Sequence, residues 1–182
     1  LEGCDLIIST GAVFTKGLIL FQVLYNGWVH NHLPQGQYPT RGPSMFATIP
    51  NTSTGKSGEV PFFGLPDNPI ACAVCLRFLA MHYVKCLQAQ LPESRLTAKL
   101  AALTNKNGAV VCTGNSLIPV GKDVLRPGVY HCTADGEVEV VLIEDHSPGK
   151  VRPFLGANCW VRIVNDVTEL REGDFVNLFP KF

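Results

Sequence analysis

Short apolar runs closed by glycine, proline and asparagine open the chain. "DLIIS", Asp5 to Ser9, ends at Thr10-Gly11 and reads as a central strand with a loop at its carboxyl end. "LILFQVLYNGWVHNHL" reads as a helix, although Tyr25, Val29 and the other aromatics leave a strand open. "SMFATI" and "VPFFGL" read as two strands, joined by "PNTSTGKSGE", which has the turn residues of a hairpin loop. Asn68 followed by Pro69 predicts a helix start, because Asn can cap and Pro is tolerated at the first helical position. The helix is expected to run to about Gln88. Ile70, Val74, Arg77-Phe78 and Met81 fall at near-helical spacing, and Ala71, Cys75 and Leu79 widen the apolar face.

A polar stretch, "QAQLPESRLTAK", then interrupts the pattern, and the domain boundary is placed within it at Pro92. Beyond it the period changes. "GAVVCTG", "GVYHCTA", "EVEVVLIE", "CWVRIVN" and "DFVNLFP" are short strand candidates separated by Gly, Asp, Asn and Pro. That spacing predicts a small all-β barrel or sandwich. Asp135-Gly136 supplies a hairpin turn, and Glu172-Gly173 a turn into the last strand. The expectation is two domains, residues 1–92 of α/β type and 93–182 almost wholly β.

Composition narrows the partners. The 182 residues are 46% hydrophobic and 16% charged, which predicts a chain that buries a core. Fifteen basic residues balance fifteen acidic ones, so the excess that drives non-specific nucleic-acid binding is missing. The longest apolar run, "GLILFQVLYNGWV", is broken by Gln22 and Asn26 and is too short to span a bilayer. No signal-peptide pattern opens the chain. Seven scattered cysteines, an odd number, argue against a disulfide framework and fit a reducing compartment. "LEGCDLIISTG" reads as the end of a helix entering a buried strand. A parallel strand needs neighbours on both sides, so the protein is expected to begin further upstream.

Several stretches resemble sites, and most have a simpler reading. Cys72 and Cys75 form a C-x-x-C with no second pair or ligand-spaced histidines, so they read as small apolar residues of the helix. "TGKSG" suggests a phosphate loop, but Pro50 stands where the motif requires its first glycine. Asn51-Thr52-Ser53 is a glycosylation sequon, meaningful only in a secreted protein. His30 and His32 lack a nearby carboxylate or cysteine and read as exposed loop residues. Two stretches remain, "ISTGAVFTKG" and "GLPDNP". Each sits where an open α/β sheet binds ligands, at carboxyl ends of strands and amino ends of helices. Backbone N–H groups and the helix dipole favour an anion there.

Together and in this order, the two stretches resemble the molybdenum insertases, the MoeA/gephyrin family. The family shows "TGGVSVGxxD" after a central strand, where this chain has "TGAVFTKGLI". It shows "GLPGNPVSA" before a long helix, where this chain has "GLPDNPIACA". "GVYHCTADGEVEV" and "FLGANCWVRIVNDVTELREGDFVNLFPKF" resemble the family's terminal β domain. The resemblance implies part of a three-layer α/β/α molybdopterin-binding domain, followed by a small barrel-like β domain. It implies a cytoplasmic homodimer acting on molybdopterin, with Mg²⁺ and molybdate, and with neither nucleic acid nor membrane as partner. It further implies that adenylylated molybdopterin is the substrate, its adenylate hydrolysed and molybdenum left on its dithiolene. Pterin and phosphates would be held by Thr10, Gly11, Lys16, Arg41, Gly64, Leu65, Pro66, Asn68 and Pro69, and by Arg126 of the β domain.

The departures bear on the chemistry. The family aspartate of the first loop aligns with Ile19, its glycine with Lys16 and its serine with Phe14. The "KPGKP" segment aligns with "PTRGP", Pro39 to Pro43, leaving Arg41 as the cation. Asp67 replaces a glycine and could cap the helix in place of a ligand. In the β domain, "KVRPFL" departs from a serine-rich loop. No catalytic residue and no metal ligand is assigned. The alternative is an inactive insertase-like scaffold, or a protein recruited to another reaction.

Overall fold

The computed structural model describes residues 4–11, 30–31, 44–51, 58–101, 123–143, 151–164 and 170–181. Outside them lie the stretch 18–29 read as a helix, the "GAVVCTG" strand candidate, the tip of the "TGKSG" loop and His32. The chain divides into two compact units, Leu1–Leu91 and Pro92–Phe182.

Among the described residues, the first unit holds a four-stranded sheet in the order β1-β4-β3-β2. Strands β1 (Ile7–Thr10), β2 (His30–Asn31), β3 (Met45–Asn51) and β4 (Gly58–Leu65) make it up. The antiparallel β3–β4 pair is the expected hairpin, in register from Met45↔Gly64 to Asn51↔Gly58. β1 pairs with β4 in parallel, from Ile7↔Phe62 to Thr10↔Leu65. His30 and Asn31 pair with β3, so the end of the stretch read as helical is strand. Both faces of the sheet are apolar because side chains alternate along β4. Phe62 joins Met45 and Ala47 on one face. Phe63 and Leu65 join Cys75 and Ala80 on the other.

That second face receives helix α1 (Pro69–Leu87). Its start is the one the sequence predicts, with Asn68 as cap and Pro69 at the first turn. Its middle departs from α geometry, since Leu76–Ala80 forms a π turn. Tyr83 meets Phe46 and Phe63 with ring centroids 5.7 and 5.5 Å apart, and those two phenylalanines are 4.7 Å apart. Each such aromatic pair adds about 0.5–1.5 kcal/mol beyond area burial. The C-x-x-C cysteines lie in this packing, Cys75 buried and Cys72 against it. Burial raises the Cys72 thiol above its ordinary range. The opposite face of α1 exposes Leu76, Met81 and Leu87. At 19 residues, α1 is long and apolar enough by length and composition to cross a membrane, a property the sequence analysis expects of no segment. Its Cys75 and Ala80 side packs on the sheet.

The second unit is a closed barrel in the order β5-β7-β6-β8-β9. Its strands are β5 (Leu96–Leu100), β6 (Val124–Cys132), β7 (Val138–Leu142), β8 (Cys159–Ile163) and β9 (Phe175–Pro180). β5 closes it, pairing with β9 antiparallel and with β7 in parallel. This corrects the reading of "RLTAK" as part of a polar connection. Arg95 and Thr97 are exposed, while Ala98, and Leu100 just beyond the stretch, enter the core. β6 also starts earlier than expected, at Val124. The interior is filled by Ala98, Leu100, Val140, Val161, Ile163 and Leu178, among others. Gly128 is required where strands close on one another. A Cβ there would meet the Val141 carbonyl oxygen at 3.0 Å and two valine methyls at 3.2 Å. Gly136 (φ +83°) and Gly173 (φ +88°) take the two expected turns. "KVRPFL", read only as a departing loop, holds a short helix, α2 (Arg152–Leu155). Phe154 stacks on Trp160 at 5.2 Å, and Lys181 caps α2 through the Phe154 and Ala157 carbonyls at 3.1 and 3.2 Å.

Candidate functional site

Parallel pairing of β1 and β4 carries their carboxyl ends to the same edge. Ser9 stands opposite Gly64 and Thr10 opposite Leu65. One further hydrogen bond ties the loops together, from the Gly11 N–H to the Leu65 carbonyl at 3.2 Å. Gly11 takes φ +75°, a left-handed conformation that costs glycine least. A Cβ placed there would lie 3.8 Å from the Asp67 Cβ, so the two loops touch at Gly11 and Asp67. Gly64, Leu65 and Pro66 are buried, while Thr10 and Asp67 are exposed. The two stretches that the sequence singles out are therefore neighbours in space.

The start of α1 is occupied from within. The Asn68 side-chain oxygen accepts from the N–H groups of Ile70 and Ala71, each at 3.0 Å. The Cys72 N–H donates to the Asn68 carbonyl at 2.7 Å, and Pro69 has no N–H. A helix start normally offers such donors to an anion. Here the chain answers them itself. The cap is Asn68 and not Asp67, whose carboxylate instead stands exposed at the loop. This corrects the expectation that Asp67 caps the helix.

Of the predicted site residues, Thr10, Gly11, Gly64, Leu65, Pro66, Asn68 and Pro69 gather at this edge. Lys16 and Arg41 lie outside the described residues, as do Phe14, Ile19 and the 39–43 segment. Arg126 belongs to the other unit. It lies in β6 at 2% exposure and donates from Nη2 to the Ile143 carbonyl at 3.4 Å. Its burial had no sequence signal, since an arginine amid strand residues reads equally as an outward position. Among the described residues, no group of three or more His, Cys, Asp or Glu side chains stands together. Mg²⁺ favours oxygen ligands and phosphates. The carboxylate standing at these loops is Asp67, and alone it does not make a Mg²⁺ site.

Residues 119–180 match the family model described as the MoeA C-terminal region (domain IV). A comparison with curated proteins finds no match. Among solved structures, the chain is similar to a molybdopterin biosynthesis MoeA protein from Pyrococcus horikosii. The TM-score is 0.63 at 20% identity, covering 98% of this chain and 37% of that one. It is also similar to a molybdenum cofactor biosynthesis protein from Pyrococcus furiosus. There the TM-score is 0.58 at 15% identity, covering 96% of this chain and 48% of that one. This chain thus spans less than half the length of either structure. The resemblance to the MoeA family holds in sequence over the carboxyl-terminal third and in fold over nearly the whole chain.

Proposed function

We propose that this chain, MoeA-like in the sequence of its barrel and in its fold, binds molybdopterin at the edge formed by Thr10–Gly11 and Gly64–Pro66. The reading takes the first unit as part of a three-layer α/β/α molybdopterin-binding domain. The step it serves is insertion of molybdenum, supplied as molybdate, into adenylylated molybdopterin in a cytoplasmic homodimer. Mg²⁺ would accompany the phosphates. The observation that supports this reading most is the Gly11-to-Leu65 hydrogen bond, which joins the two loops at the ends of parallel strands. Ligands of open α/β sheets bind outside such strand ends. Lys16 and Arg41 would supply the positive charge for phosphate, Arg41 through a guanidinium fork.

A second reading, an inactive scaffold or a protein recruited to another reaction, draws on the capped helix. The Ile70, Ala71 and Cys72 N–H groups are already engaged, and Ile19 can hold neither proton nor metal. Calorimetric titration with a molybdopterin or nucleotide ligand separates the two. Asp67 is exposed, so its repulsion of an anion is screened and amounts to about 1 kcal/mol or less. Asp67→Gly is expected to tighten binding up to about fivefold, and Arg41→Ala to weaken it. Heats unchanged in both variants would leave only the scaffold reading.

A further inference from the structure

His82 and Cys86 lie one helical turn apart near the end of α1, where side chains at i and i+4 share a face. Both are exposed, and the Cys86 Sγ stands 3.6 Å from the His82 Nε2. Zinc–sulfur and zinc–imidazole bonds of about 2.3 and 2.05 Å at a tetrahedral angle put sulfur and nitrogen about 3.5 Å apart. The bare pair already has that bite. Its thiol and imidazole are the donor types that borderline-soft divalent cations prefer. The location adds to this, because α1 ends at Leu87 and the negative end of its dipole favours a cation.

We infer that His82 and Cys86 form a surface chelate for a divalent cation of the zinc type. This site is separate from the loops at the other end of α1. Cys86 would bind as thiolate: its S–H proton passes to the buffer as the sulfur–metal bond forms, releasing one proton per cation. Neutral His82 would donate its Nε2 lone pair. Two waters would complete a tetrahedral shell, leaving an exchangeable site rather than a closed structural one. Without metal, the same atoms are placed for a weak thiol–imidazole hydrogen bond.

Titrating the whole, reduced chain with Co²⁺ tests the assignment. Cobalt takes zinc's place and gives a thiolate-to-metal charge-transfer band in the near ultraviolet. One equivalent of cobalt should produce the band, and Zn²⁺ should bleach it. Cys86→Ser should abolish it, and His82→Ala should weaken binding at least about tenfold. Cys4→Ser and Cys132→Ser, which remove two other exposed thiols, should leave it unchanged. Both substitutions at the pair are of exposed side chains, so folding is preserved. Absence of a cobalt band, or its survival in Cys86→Ser, would overturn the site. Loss in Cys86→Ser with undiminished affinity in His82→Ala would overturn the chelate, leaving a single-thiol adduct.

Discussion

Replacing Asn68 by alanine should loosen the start of α1, and the structure sets the size of the effect. The Asn68 oxygen accepts two backbone N–H groups at 3.0 Å each, from Ile70 and Ala71. Pro69 contributes no donor, so these two bonds answer most of what the first turn presents. A typical net hydrogen bond contributes about 0.5–1.5 kcal/mol. Removing an Asn cap costs about 0.5–2 kcal/mol, typically about 1. With a urea dependence of about 2 kcal/mol per molar, the midpoint should fall by about 0.25–1 M. Far-ultraviolet circular dichroism through a urea series measures this. Hydrogen exchange at Ile70 and Ala71 supplies a local readout, and both amides should exchange faster in the variant. Asn68→Asp keeps an oxygen acceptor and adds a charge favoured at a helix start, against repulsion from Asp67, so its midpoint should stay near wild type. Asp67→Ala should change stability by less than about 0.5 kcal/mol. A midpoint shift below about 0.2 M for Asn68→Ala, or an equal loss in Asp67→Ala, would show that the cap has been misassigned.

The barrel yields three further tests. Cys159 is 1% exposed, and burial pushes its thiol up to about 11, partly opposed by hydrogen bonds with the Gly128 and Tyr130 backbone. The unfolded thiol ionises near 9.0 while the folded one stays protonated. Stability is therefore unaffected at lower pH and falls as pH rises from that value through the folded pKa, by about 2–3 kcal/mol in all. Unfolding free energies of wild type and Cys159→Ala across that interval should converge by this amount, and parallel curves would refute the assignment. Gly128→Ala should cost about 1–3 kcal/mol by thermal melt, since the neighbour at 3.0 Å is a backbone oxygen that cannot swing aside. Leu178, fully buried in the barrel, should lose about 2–5 kcal/mol on truncation to alanine, measured by chemical denaturation.

Local chemistry made much of this protein legible from its residues. Asn68-Pro69 marked a helix start because capping and the missing proline N–H are properties of those two residues alone. Asp135-Gly136 marked a turn because glycine takes positive φ at low cost. The short apolar runs "EVEVVLIE" and "CWVRIVN" marked strands because turn residues bound them at strand length. At the candidate site, the two loops could be named, because turn residues next to strands and a helix are visible locally.

What tertiary structure decided were relations between segments distant in the chain. "RLTAK" has no apolar run of its own, and it is a strand because β9 and β7 offer it hydrogen bonds on both sides. That Gly11 rests beside Asp67 depends on β1 choosing β4 as its parallel neighbour. Asn68 and Asp67 are adjacent and both able to cap. Only the path of the chain decided which oxygen reached the helix N–H groups and which stayed in solvent. Arg126 carries a charge that sequence patterns place outside, yet the closing barrel covers it and sets it against the Ile143 carbonyl. Propensity and period act over a few residues. Pairing, burial and charge at a site follow from which surfaces meet.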